Sequence, residues 1–536
     1  VDLKLTAEML IERWESVKVD VRALHQKIFY RPLLSAVSKL GDDSLSLSTD
    51  QVRDRLHAIG FGDPKGALDH IAALTSGLSR RAVIQKQLLP VLLQWFSEGT
   101  DPDAALLAFR RLSEDLGESH WYLRMLRDSS GAAERMTQVL SNSRLATSLF
   151  ERIPEAAAWF ERSEDLVPMT AAELETEFDA IISRHELVES AANSIRQIRR
   201  RETLRIAMGA VLGDLTLGQL SQGLSDLTAN YLRAMLEVAT DFNQVDIAAT
   251  SIDEILDFGI IAMGRFGGEE LGFGSDADVM FVYKTKPGTD GAVAQKVAER
   301  IIAELRRLTA DQVLEFELDA DLRPEGKNGP RVRSIAGYSG YYERWAEPWE
   351  FQALLRARVV IGSSELNEEF TTLINQYRYP KEIAKNNLIE IRRIKARVEA
   401  ERLPQGANPA RHLKLGRGSI SDVEWLVQLL QLIHASSNPE LQTTSTSEAL
   451  DALAKLAIIP PDDIERLHAG WLMASRCRSA EVLASDKRTD QLPTDLRQLE
   501  AMARILEYQP GQSQLLEENY LAITRKARIV FEKHFA

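Results

Sequence analysis

Residues 258–283, FGIIAMGRFGGEELGFGSDADVMFVY, read as a strand, a glycine-rich turn and a second strand. Phe258, Ile260, Ile261 and Met263 form a short apolar run bounded by glycine, and Val279, Phe281 and Val282 begin another, as buried strands do. Between them stand Gly264, Gly267, Gly268, Gly272 and Gly274. Glycine at that density lets the backbone turn sharply and approach a ligand closely, with N–H groups facing an anion such as a triphosphate. The turn ends in Ser275-Asp276-Ala277-Asp278. Asp276 and Asp278 are two apart where the chain becomes extended, so their carboxylates point to one side, with Cα atoms roughly 6–7 Å apart. That pair suits a hard divalent cation, since magnesium takes one or two protein carboxylates and its other oxygens from water and phosphate. Taken alone, the tetrapeptide reads more plainly as a solvated turn.

Residues 313–323, VLEFELDADLR, predict a further strand. Val313, Glu315, Glu317, Asp319 and Asp321 alternate with Leu314, Phe316, Leu318, Ala320 and Leu322, the pattern of a sheet with one face on a core and one on a cleft. A helix over 290–309 is expected to cross between the strands. The Gly-Ser turn followed by Asp-x-Asp resembles the DNA polymerase β-like nucleotidyltransferase superfamily. That resemblance implies a third metal-binding carboxylate on the next strand, where Asp319 fits by motif and Asp321 shares its face.

Four runs carry a narrower resemblance: GRFGGEELGFGSDADVMFV (264–282), ELDADLRPEGKNGPRVRS (317–334), WEFQALLRARVVIG (349–362) and HLKLGRGSISDVEWLVQLLQL (412–432). Together, in this order, they resemble glutamine synthetase adenylyltransferase, a bifunctional family with an adenylyl-removing half and an adenylylating half. The GSDAD turn and the WEFQALLRARVV run are closer to the second half, and residues 12–35 and 78–150 resemble the connecting region of actinobacterial members. The resemblance implies transfer of AMP from ATP to a tyrosine hydroxyl of glutamine synthetase. It implies two magnesium ions held by Asp276, Asp278 and Asp319, and phosphate contacts from Gly274, Ser275, Arg323 and Lys414. It further implies glutamine synthetase as substrate, the PII signalling protein as regulator and glutamine as an effector. The commoner family pattern has arginine where this chain has Asp321, which leaves the choice between Asp319 and Asp321 open.

The rest of the chain reads as helix. At 536 residues, with 44% apolar and 27% charged residues, the expectation is a globular protein of several domains with ample core. We expect a mostly α protein with a small α/β core: a helical region over 1–165, a nucleotidyltransferase domain over 166–345 and a helical bundle over 346–536. Leu10, Trp14, Val17, Val21, Leu24 and Ile28 form one helical seam, and Ser48-Thr49-Asp50 predicts a helix start. Pro348 is expected to open a helix running through WEFQALLRARVV, and 401–411 to be a loop at a boundary. The RQIRRRETLR run at 196–205 holds five arginines, read either as an ion-paired helix face or as anion contacts.

A net charge of −14 without a basic tail argues against a nucleic-acid polymerase of the same superfamily. The single cysteine, Cys477, excludes an intramolecular disulfide and suits the cytoplasm, and no apolar run is long enough to span a membrane. The chain begins with Val1, from which a fragment of a longer protein is expected. Three competing readings are phosphorolytic removal of AMP, uridylylation of PII and a non-catalytic docking module. Nine histidines with no hydrolase-type cluster speak against the second, and three spaced carboxylates beside a glycine turn against the third.

Overall fold

The computed structural model describes residue 13 and residues 49–77, 80–241 and 251–535. The predicted seam from Leu10 to Ile28, Ser48 and, but for Arg13, the resemblance over 12–35 lie outside the described residues. The protein is mostly helical, with one small mixed sheet. Helices α1 (Thr49–Ala58), α2 (Pro64–Thr75), α3 (Arg80–Glu98), α4 (Pro102–Asp115), α5 (His120–Asp128), α6 (Ser130–Asn142) and α7 (Arg144–Phe150) come first. The punctuation is chemical: Asp63 and Asp101 cap α2 and α4, each with proline in the first turn, and Ser129 and Ser143 cap α6 and α7. Helices α8 (Ala171–Ile182), α9 (Val188–Val211) and α10 (Leu217–Asp241) lead to the sheet.

Strand β1 (Leu256–Ala262) pairs antiparallel with β2 (Ala277–Thr285), so the expected strand, turn and strand are present, with a single helical turn at Gly264–Gly267 inside the loop. Helix α11 (Gly291–Thr309) then crosses to β3 (Leu318–Asp319), and β4 (Val332–Ser334) follows, both parallel to β2 on the same edge. Beyond lie α12 (Ile335–Arg344), α13 (Pro348–Leu354), β5 (Arg358–Ile361), which pairs with the other edge of β1, and α14 (Ser364–Arg378).

Alternation sorts the strands onto two cores. Phe258, Ile260, Ala262, Val279 and Phe281 meet α8 to α11, whose own apolar stripe runs through Ala294, Val297, Ala298, Ile301, Ile302 and Leu305. Ile261, Met263, Met280 and Val282 meet Tyr338, Leu354 and Phe370 of α12 to α14. Tyr338 is fully buried, and its hydroxyl donates to the Phe281 carbonyl at 3.0 Å, which removes the cost of burying an unpaired polar group.

The remaining helices, α15 (Lys385–Glu401), α16 (Ile420–His434), α17 (Thr446–Lys455), α18 (Pro461–Ser485), α19 (Leu496–Ile505) and α20 (Ser513–Phe535), form a bundle whose core is continuous with that of α1 to α7. The Ser143 hydroxyl donates to the Leu483 carbonyl at 2.7 Å across that junction. Among the described residues, no helix is long and apolar enough to cross a membrane.

Two predicted elements are shorter than expected. The strand over 313–323 is reduced to Leu318–Asp319, because side chains take the backbone groups a ladder would use. Arg199 donates to the Leu314 and Glu315 carbonyls at 2.8 and 3.0 Å, and Asp311 accepts from the Val313 N–H at 2.8 Å. The helix through WEFQALLRARVV stops at Leu354, and its β-branched end, Val359-Val360-Ile361, becomes edge strand β5. The arginine run follows its ion-paired reading: Arg200 pairs with Asp311, Arg201 with Glu177 and Glu202, Arg205 with Glu202, and Arg196 reaches the Leu308 carbonyl.

Candidate active site at the mouth of the sheet

Asp276 and Asp278 share the parity of Met280 and Val282, so they extend the second face of the sheet past the end of its helical cover. Asp278 is the register partner of Asp319 on parallel β3, while Ala277 and Leu318, also partners, point into the first core. Two carboxylates thus stand abreast on neighbouring strands, with Asp276 two residues before. On the β1 side, the Met263 N–H donates to the Asp278 carbonyl at 2.8 Å. Gly264 follows with φ +51°, and a Cβ there would fall 2.4 Å from Asp278 Oδ2. Only glycine leaves room for that carboxylate against the turn.

The carboxylates crowd one another. Burial pushes the Asp278 carboxyl up to about 7; Lys414 opposes this, while Asp319, Asp276 and Glu424 add to it. Glu317 is also raised, first by Asp276 and then by burial. Asp276 accepts from Arg488 Nη1 at 2.5 Å, and the same nitrogen lies 3.5 Å from Glu317. Asp319 accepts the Asp321 N–H at 2.7 Å. Asp321 lies past the end of β3, 3.2 Å from Lys327 and 3.4 Å from Arg323. Among the described residues, no three acidic, histidine or cysteine side chains already converge as a ligand set. The donor chemistry nevertheless fits a divalent cation, because clustered carboxylates with too little positive charge are stabilised by one.

The remaining predicted site residues divide. Lys414, exposed on the loop before α16, is electrostatically coupled to Asp278. Gly274 and Ser275 face α18: Arg478 donates to the Gly274 carbonyl at 3.3 Å and to Ser275 Oγ at 3.1 Å, and Ser275 Oγ also accepts from the Gly272 N–H. Arg323 is buried, and its guanidinium is spent on the loop that carries it, donating to the Ala320, Lys327 and Gly329 carbonyls. Two residues that the sequence reading passed over border the opening. Arg488 belongs to the SDKRTD turn after α18, where no periodicity marks it. Arg265, inside the glycine run, is part-buried over the Trp471 ring and lies 3.5 Å from Glu424. Behind the glycine turn, a cavity of about 470 Å³ is lined by Arg199, Leu227, Ser275, Glu317, Lys487 and Arg488.

A small mixed sheet that opens on Asp-x-Asp, with a third aspartate in register beside it and helices on both faces, is consistent with a nucleotidyltransferase-type domain. The family model for glutamate-ammonia ligase adenylyltransferase matches residues 133–373, which contain the whole sheet. That for GlnD PII-uridylyltransferase matches residues 391–535, most of the helical bundle. Curated relatives named bifunctional glutamine synthetase adenylyltransferase/adenylyl-removing enzyme align along nearly the whole chain. The one from Leifsonia xyli subsp. xyli is 53% identical over 99% of the chain and 53% of its own length. Those from Streptomyces avermitilis and Mycobacterium tuberculosis are 44% and 42% identical over 98% and 99% of the chain, and 54% of their own lengths. The chain therefore belongs to the glutamine synthetase adenylyltransferase family, and it spans about half the length of these relatives.

Proposed function

We infer that this chain transfers AMP from ATP to a tyrosine hydroxyl of glutamine synthetase, releasing pyrophosphate, and that it corresponds to the adenylylating half of its longer relatives. The observation that carries this reading is the register of Asp278 with Asp319 beside the Gly264 turn, with Asp276 two residues before. Asp276, Asp278 and Asp319 would hold two magnesium ions, which when bound supply positive charge to the triphosphate and to the attacking oxygen. Asp319 takes the phenolic proton; the tyrosine oxygen bonds to the α-phosphorus, and the bond to the pyrophosphate oxygen breaks, its electron pair leaving with pyrophosphate. A free phenol, with a pKa near 10, needs such a base or nearby positive charge to react at neutral pH. Lys414 supplies charge beside the phosphates. The glycine turn with Gly274 and Ser275 sets the floor of the site, positioned by Arg478.

We read the chain as a helical linker, a catalytic domain from about residue 166 and a C-terminal bundle. Packing of Phe370 and Leu373 against the sheet's second core supports a second boundary after Arg378 rather than at 345. The name of the first family model supports glutamine synthetase as substrate, and that of the second favours a link to PII, which we take as regulator; glutamine as effector and a cytoplasmic location complete the proposal.

The test is incubation of the chain with unmodified glutamine synthetase, ATP labelled on the α-phosphate, and magnesium. Label on a tyrosine with stoichiometric pyrophosphate is expected. If label stays off, but phosphate releases ADP from pre-modified glutamine synthetase, the chemistry runs the other way. Neither result would leave a non-catalytic docking module.

A further inference from the structure

Two arginines of the bundle reach the Asp276 turn, and they are held differently. Arg478 is enclosed, with 9% of its side chain exposed, and is bound by Asp490, the Gly274 carbonyl and Ser275. Those contacts fix the turn to α18. Arg488 is 34% exposed, and its ion pairs with Asp276 and Glu317 both use Nη1. It stands on a tight turn between Asp486 and Asp490, both left-handed at φ +58° and +51°, a conformation that non-glycine residues seldom adopt. The turn presents Lys487 and Arg488 to the cavity behind the glycine loop, which they line with Ser275 and Glu317. The Arg488 guanidinium therefore has space to leave Asp276 without unpacking the bundle.

A guanidinium fork matches the geometry of both carboxylate and phosphate oxygens. It cannot share the Asp276 carboxylate with a divalent cation without direct charge repulsion. Arg488 occupies the charge position that a metal at Asp276 would take. Resting on the nucleotidyltransferase reading above, we propose that Arg488 has two stations: it caps Asp276 while the site is without metal, and it moves to an oxygen of the triphosphate when metal and nucleotide bind. Lys487 and Lys414 then flank the same anion, so the bundle supplies the cations and the sheet the carboxylates. Arg488 is thus both a competitor of the free metal and a ligand of the nucleotide.

The two stations make opposite demands, which an anchoring role would not. We would compare the 536-residue chain with Arg488→Gln and Arg488→Lys, after checking that their thermal unfolding midpoints match. Manganese affinity without nucleotide is read from the electron spin resonance signal of free manganese. Affinity for α,β-methylene-ATP is read by calorimetry at saturating magnesium. Arg488→Gln is expected to bind manganese several-fold more tightly and the nucleotide about tenfold more weakly, with Arg488→Lys between wild type and Gln in both. Weakening of both ligands together, or an unchanged nucleotide affinity, overturns the proposal while leaving the function intact. A wild-type chain that binds neither manganese nor nucleotide overturns both.

Discussion

Two groups of charge border the same glycine turn, and they are built in opposite ways. Glu270, Arg356 and Thr446 form a closed set. The Arg356 guanidinium pairs with Glu270, donates to Thr446 Oγ1 at 2.8 Å and reaches the Thr444 carbonyl, while Glu270 accepts the Thr446 N–H and hydroxyl. The set ties the turn to the approach to β5 and the start of α17. Asp276, Asp278 and Asp319 form an open set: Asp319 and Asp276 add to the rise of Asp278, Asp276 raises Glu317, and of the three Asp276 has an arginine on its carboxylate. A buried charge is tolerated when its partners are complete and is costly when they are not. Charges of the first kind are satisfied within the fold, and those of the second are candidates to bind a cation.

Replacing one member of each set separates them most widely. Asp278→Asn should cut AMP transfer by two to three orders of magnitude or more, followed as pyrophosphate release, because it removes the carboxylate nearest both neighbours in the site. The same change relieves burial and like-charge crowding, so the metal-free unfolding midpoint should stay level or rise. A large fall in that midpoint would show that the aspartates are structural after all.

Glu270→Ala should do the reverse. It leaves the buried Arg356 with Glu424, at 3.8 Å, as its remaining ion partner, each side chain of the Glu270–Arg356 pair being only 6% exposed in the intact protein, and should cost about 3 kcal/mol in urea unfolding. A double replacement, Glu270→Leu with Arg356→Met, should recover much of that loss. If the single variant unfolds like wild type, the closed set is not what holds the turn. A third substitution probes the backbone between the sets: a Cβ on Gly267 would lie 1.7 Å from the Arg356 carbonyl oxygen, so Gly267→Ala should cost about 1–3 kcal/mol in the same assay.

Local signals made the open set legible. Asp276 and Asp278 stand at period two on the end of an apolar strand, and Asp319 keeps the alternation of its own run, so parity alone placed them on one face. What sets Asp319 apart from Asp321 is tertiary: β3 ends at Asp319, and the next turn hands Asp321 to Arg323 and Lys327. The closed set was less readable, because its members lie 86 and 176 residues apart and no spacing rule links them. Arg323 and Arg488 illustrate the same limit from two sides. Both are arginines in polar turns; one closes its own loop, while the other crosses 212 residues to Asp276. Periodicity reports which face a side chain takes, but not which distant element arrives there.

Lys414 gives the smallest and most discriminating effect. It is exposed on the loop before α16, and its charge holds down both Asp278 and Asp490. An exposed ammonium contributes little to folding, so Lys414→Met should leave urea unfolding unchanged within about 0.5 kcal/mol. Its loss should weaken nucleotide binding by about three- to tenfold at low salt. Because the Debye length shrinks to about 3 Å at 1 M ionic strength, that difference should nearly vanish there. Arg488, in direct contact with its partner, should keep more of its effect at the same salt. Equal salt dependence for Lys414→Met and Arg488→Gln would mean that both cations act through the solvent, and that no side chain of the bundle touches the phosphates.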